Sequence, residues 1–103
     1  MYGSAEEVVL ITEATALPGR GDELRRAFTE LIPQSLAEGG VSTFRLHEDR
    51  DRPGHFTLYQ RFRNQHAVDL HVQTNHFAIS VEALAQFAEG GKPQVTFYHV
   101  LSR

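Results

Sequence analysis

The sequence predicts an α+β fold, an antiparallel sheet with helices on one face, and three observations carry that expectation. Four short stretches are rich in β-branched and aromatic residues or alternate apolar with polar ones. Two longer stretches repeat apolar side chains at helical spacing. Turns bearing glycine and proline stand between them. The order along the chain is strand, helix, strand, strand, helix, strand.

Residues 7–17, EVVLITEATAL, make the first strand. Val8, Leu10, Thr12, Ala14 and Ala16 share one face; Val9, Ile11, Glu13, Thr15 and Leu17 share the other. Both faces are largely apolar, which marks a central strand covered on both sides. Pro18, Gly19 and Gly21 form a turn, and Asp22 is placed to cap the next helix. In that helix Leu24, Ala27, Phe28, Leu31 and Ile32 recur at i, i+3, i+4, i+7 and i+8. Pro33 should end or kink it, because proline has no N–H to donate and its ring crowds the preceding turn. A short helical remainder then stops at Gly39 and Gly40.

The second strand alternates Val41, Thr43, Arg45 and His47 against Ser42, Phe44, Leu46 and Glu48. A polar turn ending in Pro53 and Gly54 leads to the third strand, residues 55–63, and the short connection suggests a hairpin. Phe56, Leu58, Gln60 and Phe62 share one face of it, with Thr57, Tyr59, Arg61 and Arg63 on the other. Asn64 can cap a helix reaching about Gln73. Thr74 and Asn75 interrupt it, and a second helical piece carries Phe77, Val81, Leu84, Ala85 and Phe87 on its apolar side. Residues 90–93, Gly-Gly-Lys-Pro, precede the last strand, residues 94–101. There Val95, Phe97, His99 and Leu101 oppose Thr96, Tyr98 and Val100. This order is the split βαβ, or ferredoxin-like, arrangement βαββαβ. Helices cover one sheet face. The other also carries apolar residues, and packing two such sheets face to face would make a dimeric α+β barrel.

At 103 residues the chain is read as one domain, 1–103. So small a domain buries a modest fraction of its surface, which favours a homodimer. Ten basic and 13 acidic side chains give a net charge of −3, so neither nucleic acid nor an anionic membrane is an expected partner. The absence of cysteine removes disulfides, thiolate metal sites, iron–sulfur clusters and a cysteine nucleophile, and fits a cytoplasmic protein. The start, MYGSAEE, lacks the basic and apolar regions of a signal peptide. No apolar run approaches the roughly 20 residues that span a bilayer.

Residues 56–77 read FTLYQRFRNQHAVDLHVQTNHF. This stretch resembles the signature of the antibiotic-biosynthesis-monooxygenase family: an aromatic-rich strand of the form F-x-L-Y-E-x-W, then a helix with Ala, His and Thr-x-His-Phe. The matching positions are Phe56, Leu58, Tyr59, Gln60, Phe62, Ala67, His71, Thr74, His76 and Phe77. Pro18-Gly19, the turn at residues 51–54 and residues 90–93 fit as well, so the resemblance covers nearly the whole chain. Two positions depart from the pattern. Gln60 replaces the usual glutamate, and Phe62 the usual tryptophan. The family's heme-degrading branch relies on an Asn, a Trp and a heme-ligating His. Thr12 and Phe62 stand at the first two positions and the third has no counterpart, so heme degradation is disfavoured.

The resemblance implies a cofactor-independent monooxygenase acting on an electron-rich aromatic or polyketide-type small molecule of the anthrone or quinol class. Such a substrate supplies its own electrons, so no cofactor is expected. His71 and His76 are the candidate base or donor, since neutral imidazole titrates near physiological pH. Five residues apart on one helix they would point about 140° away from each other, and a break at Thr74-Asn75 would bring them together. Gln60 would orient the substrate and completes the candidate catalytic set. Phe62, Phe77, Thr12, Phe97 and Tyr59 are the candidate substrate-binding residues. No metal site is expected, as there is neither HxH nor HExxH nor a compact His/carboxylate set at helical spacing. His47, His55, His66 and His99 take a structural reading. Two rival functions remain open, a cofactor-free isomerase or cyclase on the same fold and a non-catalytic dimer that binds a small ligand.

Overall fold

The computed structural model describes residues 6–102, so most of the start weighed as a signal peptide lies outside the described residues. The elements are β1 (Val8–Thr15), α1 (Gly21–Leu36), β2 (Val41–Glu48), β3 (His55–Phe62), α2 (Gln65–His71), α3 (Asn75–Phe87), a 3-10 turn (Glu89–Gly91) and β4 (Gln94–His99). The strand order is β2-β3-β1-β4, and all three pairings are antiparallel. This is the expected ferredoxin-like sheet, with β1 inside it. Among the described residues no helix is long and apolar enough to cross a membrane.

Strand alternation decides which side chains meet the helices. On β3, Phe56, Leu58, Gln60 and Phe62 are all buried, and every intervening residue is half-exposed. With Leu10 and Ala14 of β1 and Phe44 of β2, these apolar residues pack on Leu24, Phe28 and Leu31 of α1, Val68 of α2 and Leu84 of α3. At roughly 1.5–3 kcal/mol for each fully buried large apolar side chain, this layer is the main source of cohesion. Glu48 ties the β2–β3 hairpin to α1: it accepts from the Gly54 N–H at 2.9 Å and from Arg25 at 3.0 Å. Those two bonds, the Gly54 one first, hold its carboxyl below the usual carboxylate range.

Several local expectations are corrected. α1 runs through Pro33 to Leu36. The carbonyl that Pro33 fails to bond belongs to Thr29, and both residues are exposed, so water can take up the orphan acceptor. Asp22 lies inside α1 and pairs with Arg25 at 2.6 Å; the capping position is Arg20, whose side chain makes no cap bond. On β2 the register slips between Val41 and Thr43. This bulge puts Val41, with Phe44, among the buried residues and leaves Ser42 exposed. The apolar side of α3 is only partly packed: Leu84 is buried, whereas Val81 and Ala85 are exposed. Val81 and Leu84 border a cavity between the helices and the sheet.

Candidate functional site

A cavity of about 340 Å³ lies between the sheet and the three helices. Leu10, Leu58, Phe28, Leu31 and Leu84 give it apolar walls. Thr12, Gln60, His71 and Ser80 bring a few polar groups into that lining, the composition typical of a small-molecule pocket. Val72, Val81, Val95 and Phe97 line the same space yet stay 43–56% exposed, so they mark its mouth.

Gln60 and Thr12 are both buried, and the Gln60 amide donates to Thr12 Oγ1 at 2.8 Å. That bond uses a lone pair of the hydroxyl. The Thr12 hydrogen and the Gln60 carbonyl therefore remain as one donor and one acceptor for a bound molecule.

His71 is placed by two helix caps. Asn64 Oδ1 accepts from Ala67 N–H at 2.9 Å and starts α2. Thr74 Oγ1 accepts from Phe77 N–H at 3.2 Å and starts α3, while its own hydroxyl donates to the His71 carbonyl at 2.7 Å. Each cap satisfies an orphan helix-end N–H, and together they end one helix at His71 and begin the next beside His76. The break lets both imidazoles turn toward one carboxylate, Glu38. His71 Nδ1 lies 2.9 Å from Glu38 Oε2, and His76 Nε2 lies 2.5 Å from the same oxygen. The His71 ring is walled by Phe44, Phe62 and Phe77, with ring centroids 5.3–5.6 Å away. Its Nδ1 is engaged by Glu38, which leaves Nε2 as the ring nitrogen for the cavity that His71 lines.

Of the residues singled out from sequence, Thr12, Gln60, His71, Phe77 and Phe97 come together on this cavity. His76 joins through Glu38 without lining it. Phe62 is fully buried and supports the His71 ring. Tyr59 lies on the opposite face of the sheet, in a shallow depression with Val9, Arg61 and Tyr98. Arg61 pairs there with Glu7 at 2.7 Å. Glu38 was missed, because it sits 33 positions before His71. One signal was available: an acid just past the end of a helix opposes the helix dipole, so its presence at that position asks for another reason. A second, more polar cavity of about 380 Å³ is lined by Glu38, Arg63, Asn64, His66 and Thr74 among others.

The fold and the site together define a class, a ferredoxin-like α+β domain holding a mostly apolar cavity with a histidine, hydrogen-bonded to a carboxylate, in its wall. The chain belongs to the antibiotic biosynthesis monooxygenase family, whose sequence pattern matches residues 7–83. Among solved structures it is similar to a protein of Pseudomonas aeruginosa, at 25% identity and a TM-score of 0.88 over 98% of this chain and 100% of that one. It is also similar to a protein of Shewanella oneidensis, at 23% identity and a TM-score of 0.87 over 93% and 92% of the two chains. A structure named as an antibiotic biosynthesis monooxygenase superposes with a TM-score of 0.84 at 21% identity, covering 92% of this chain and 99% of its own. At these identities the likeness speaks for the fold. A search of the curated proteins finds no match.

Proposed function

We propose that the protein is a cofactor-independent monooxygenase for an electron-rich aromatic of the anthrone or quinol class. The observation that carries this reading is His71, which lines an apolar cavity while Glu38 holds its Nδ1 at 2.9 Å. A carboxylate on one ring nitrogen fixes the tautomer and stabilises the imidazolium that forms when the other nitrogen takes a proton. For an anthrone, Nε2 removes a proton from the CH2 carbon. The carbanion gives one electron to dioxygen, and the radical pair joins to form a C–O bond. The resulting peroxide loses water to leave a carbonyl, so CH2 and O2 become C=O and H2O. The substrate is the reductant throughout. The Thr12 hydroxyl and the Gln60 amide are the groups on hand to orient its oxygens, and Phe77 and Phe97 would flank the ring system.

The test is dioxygen uptake by metal-stripped protein with a panel of reduced anthrones and quinols and no added cofactor. Uptake should fall about 10²–10⁴-fold in His71→Ala, the usual worth of a positioned general base. A folded protein that consumes no dioxygen across the panel would sink the oxygenase reading. The replacement of the family's usual glutamate and tryptophan by Gln60 and Phe62 favours, as second reading, an isomerase or cyclase in which the same base moves a proton without dioxygen. If His71→Ala and His76→Ala fold and change no activity at all, a ligand-binding role is left.

The protein is further proposed to work as a homodimer. β4 is the edge strand beside the cavity mouth, and five of its six residues are exposed. A second copy laid over this edge and the helix-free face would cover both.

A further inference from the structure

We propose that Glu38, His71 and His76 form a binding site for a divalent transition-metal ion, and that an ion bound there silences His71 as a base. One donor atom from each residue lies within 4.8 Å of the other two. The donors arrive from three separate places, the connection after α1, the last residue of α2 and the first turn of α3, so the backbone holds them in position without the ion. Two imidazoles and one carboxylate with a position left open is a set that zinc accepts. Imidazole also suits copper, nickel and iron, whereas calcium and magnesium demand oxygen donors.

The fit requires the donors to shift, the Glu38 carboxylate first. Ligand bonds of about 2.0–2.2 Å place neighbouring donors of a tetrahedral ion about 3.3 Å apart. Glu38 Oε2 now sits 2.9 Å from His71 Nδ1 and 2.5 Å from His76 Nε2. The carboxylate must therefore withdraw by roughly half an ångström, which rotation of its side chain supplies. His71, by contrast, is 3% exposed and walled by three phenylalanine rings, and stays put. Glu38 also lines the second, more polar cavity, which shares no lining residue with the substrate space.

The chemical consequence follows from proton count. A metal takes the lone pair of His71 Nδ1, so the single N–H of the neutral ring moves to Nε2. Nε2 then meets the cavity as a donor and has no lone pair to accept a proton. Metal and base chemistry exclude each other on one side chain. Metal binding itself stands whether or not the oxygenase reading does; only the silencing step rests on His71 being the base.

The experiment uses the untagged full chain, stripped with a chelator and titrated with Co²⁺ alone and then Zn²⁺. One Co²⁺ per chain should bind with a visible d–d absorption that Zn²⁺ displaces. Glu38→Gln and His76→Ala should each weaken binding by at least the 10–100-fold, roughly, that loss of even an outer-shell partner costs a metal site. His66→Ala, a change in the second cavity outside the ligand set, should leave it unaltered. His76→Asn serves if the alanine variant unfolds. Histidine ¹⁵N spectra read the switch without substrate: the His71 proton should sit on Nδ1 in stripped protein and on Nε2 once Zn²⁺ is bound. No absorbing Co²⁺ complex, or binding that persists in folded His76 and Glu38 variants, overturns the site. A His71 proton that stays on Nδ1 with Zn²⁺ bound overturns the switch.

Discussion

Gly40 has no room for a side chain. A β-carbon built on it would overlap the β-carbon of Ala67, the buried residue that starts the inner face of α2. The close approach of that connection to α2 holds Glu38 near His71, so a methyl group here would spread the carboxylate and the imidazole apart. Gly40→Ala should cost about 1–3 kcal/mol, the range for overpacking a tight contact. Urea denaturation measures it, and Ala67→Gly in the same chain should restore part of the loss. Equal stabilities for Gly40→Ala and the parent would mean that α2 shifts freely and that the site geometry is soft. At this scale the sequence was only partly legible. His71, Gln60 and Thr12 could be placed because strand alternation and a helix break can be followed along one stretch of chain. Glu38 could not, since nothing local ties it to histidines that reach it only through the fold. Phe62 and Tyr59 lie off the cavity, the first behind the His71 ring and the second across the sheet. A family motif names positions that matter, yet it does not separate a residue facing the cavity from one supporting a ring behind it or one across the sheet.

Among the elements, the break between α2 and α3 does the most for the site. Thr74 serves both helices, accepting from Phe77 N–H and donating to the His71 carbonyl. Thr74→Ala should destabilise the protein by about 1 kcal/mol, as cap removal does. It should also lower activity by more than that loss explains, because the end of α2 is freed and the His71 ring with it. Thr74→Ser keeps the hydroxyl and should recover both quantities. Thermal melts and initial rates of the proposed reaction on the three proteins decide the matter, and a Thr74→Ala variant as active as the parent would show that the phenylalanine walls alone aim His71. This break was readable, since a Thr or Asn followed by helix-forming residues is a start signal. The course of α1 was not. Proline reads as a terminator, but at Pro33 the freed carbonyl belongs to the exposed Thr29, and burial of Leu31 and Ser35 holds the helix together. The Ser42 bulge was equally hidden, because a two-residue alternation cannot reveal where a strand takes an extra residue.

The whole molecule is least complete at β4. Val95, Phe97 and Tyr98 are 43–56% exposed and Leu101 is 82% exposed, so this edge presents apolar groups from both faces of the strand. Unpaired edges rich in apolar residues invite pairing with another chain, and a domain of this size gains a large fraction of its stability from such burial. A second copy over β4 and the helix-free face would place Tyr98, Tyr59 and Val9 in the interface and narrow the mouth of the cavity at Phe97. The half-open pocket of the single chain would then become the dry enclosure that the proposed carbanion chemistry needs. Sedimentation velocity should find a dimer in the parent. Tyr98→Glu places a charge in the middle of that contact and should yield monomers, and its cavity should lose activity while the fold stays intact by circular dichroism. A parent that sediments as a monomer at every concentration would remove the dimer. If Tyr98→Glu turned out monomeric yet fully active, the cavity would be sufficient in one chain, and the edge strand would serve assembly alone.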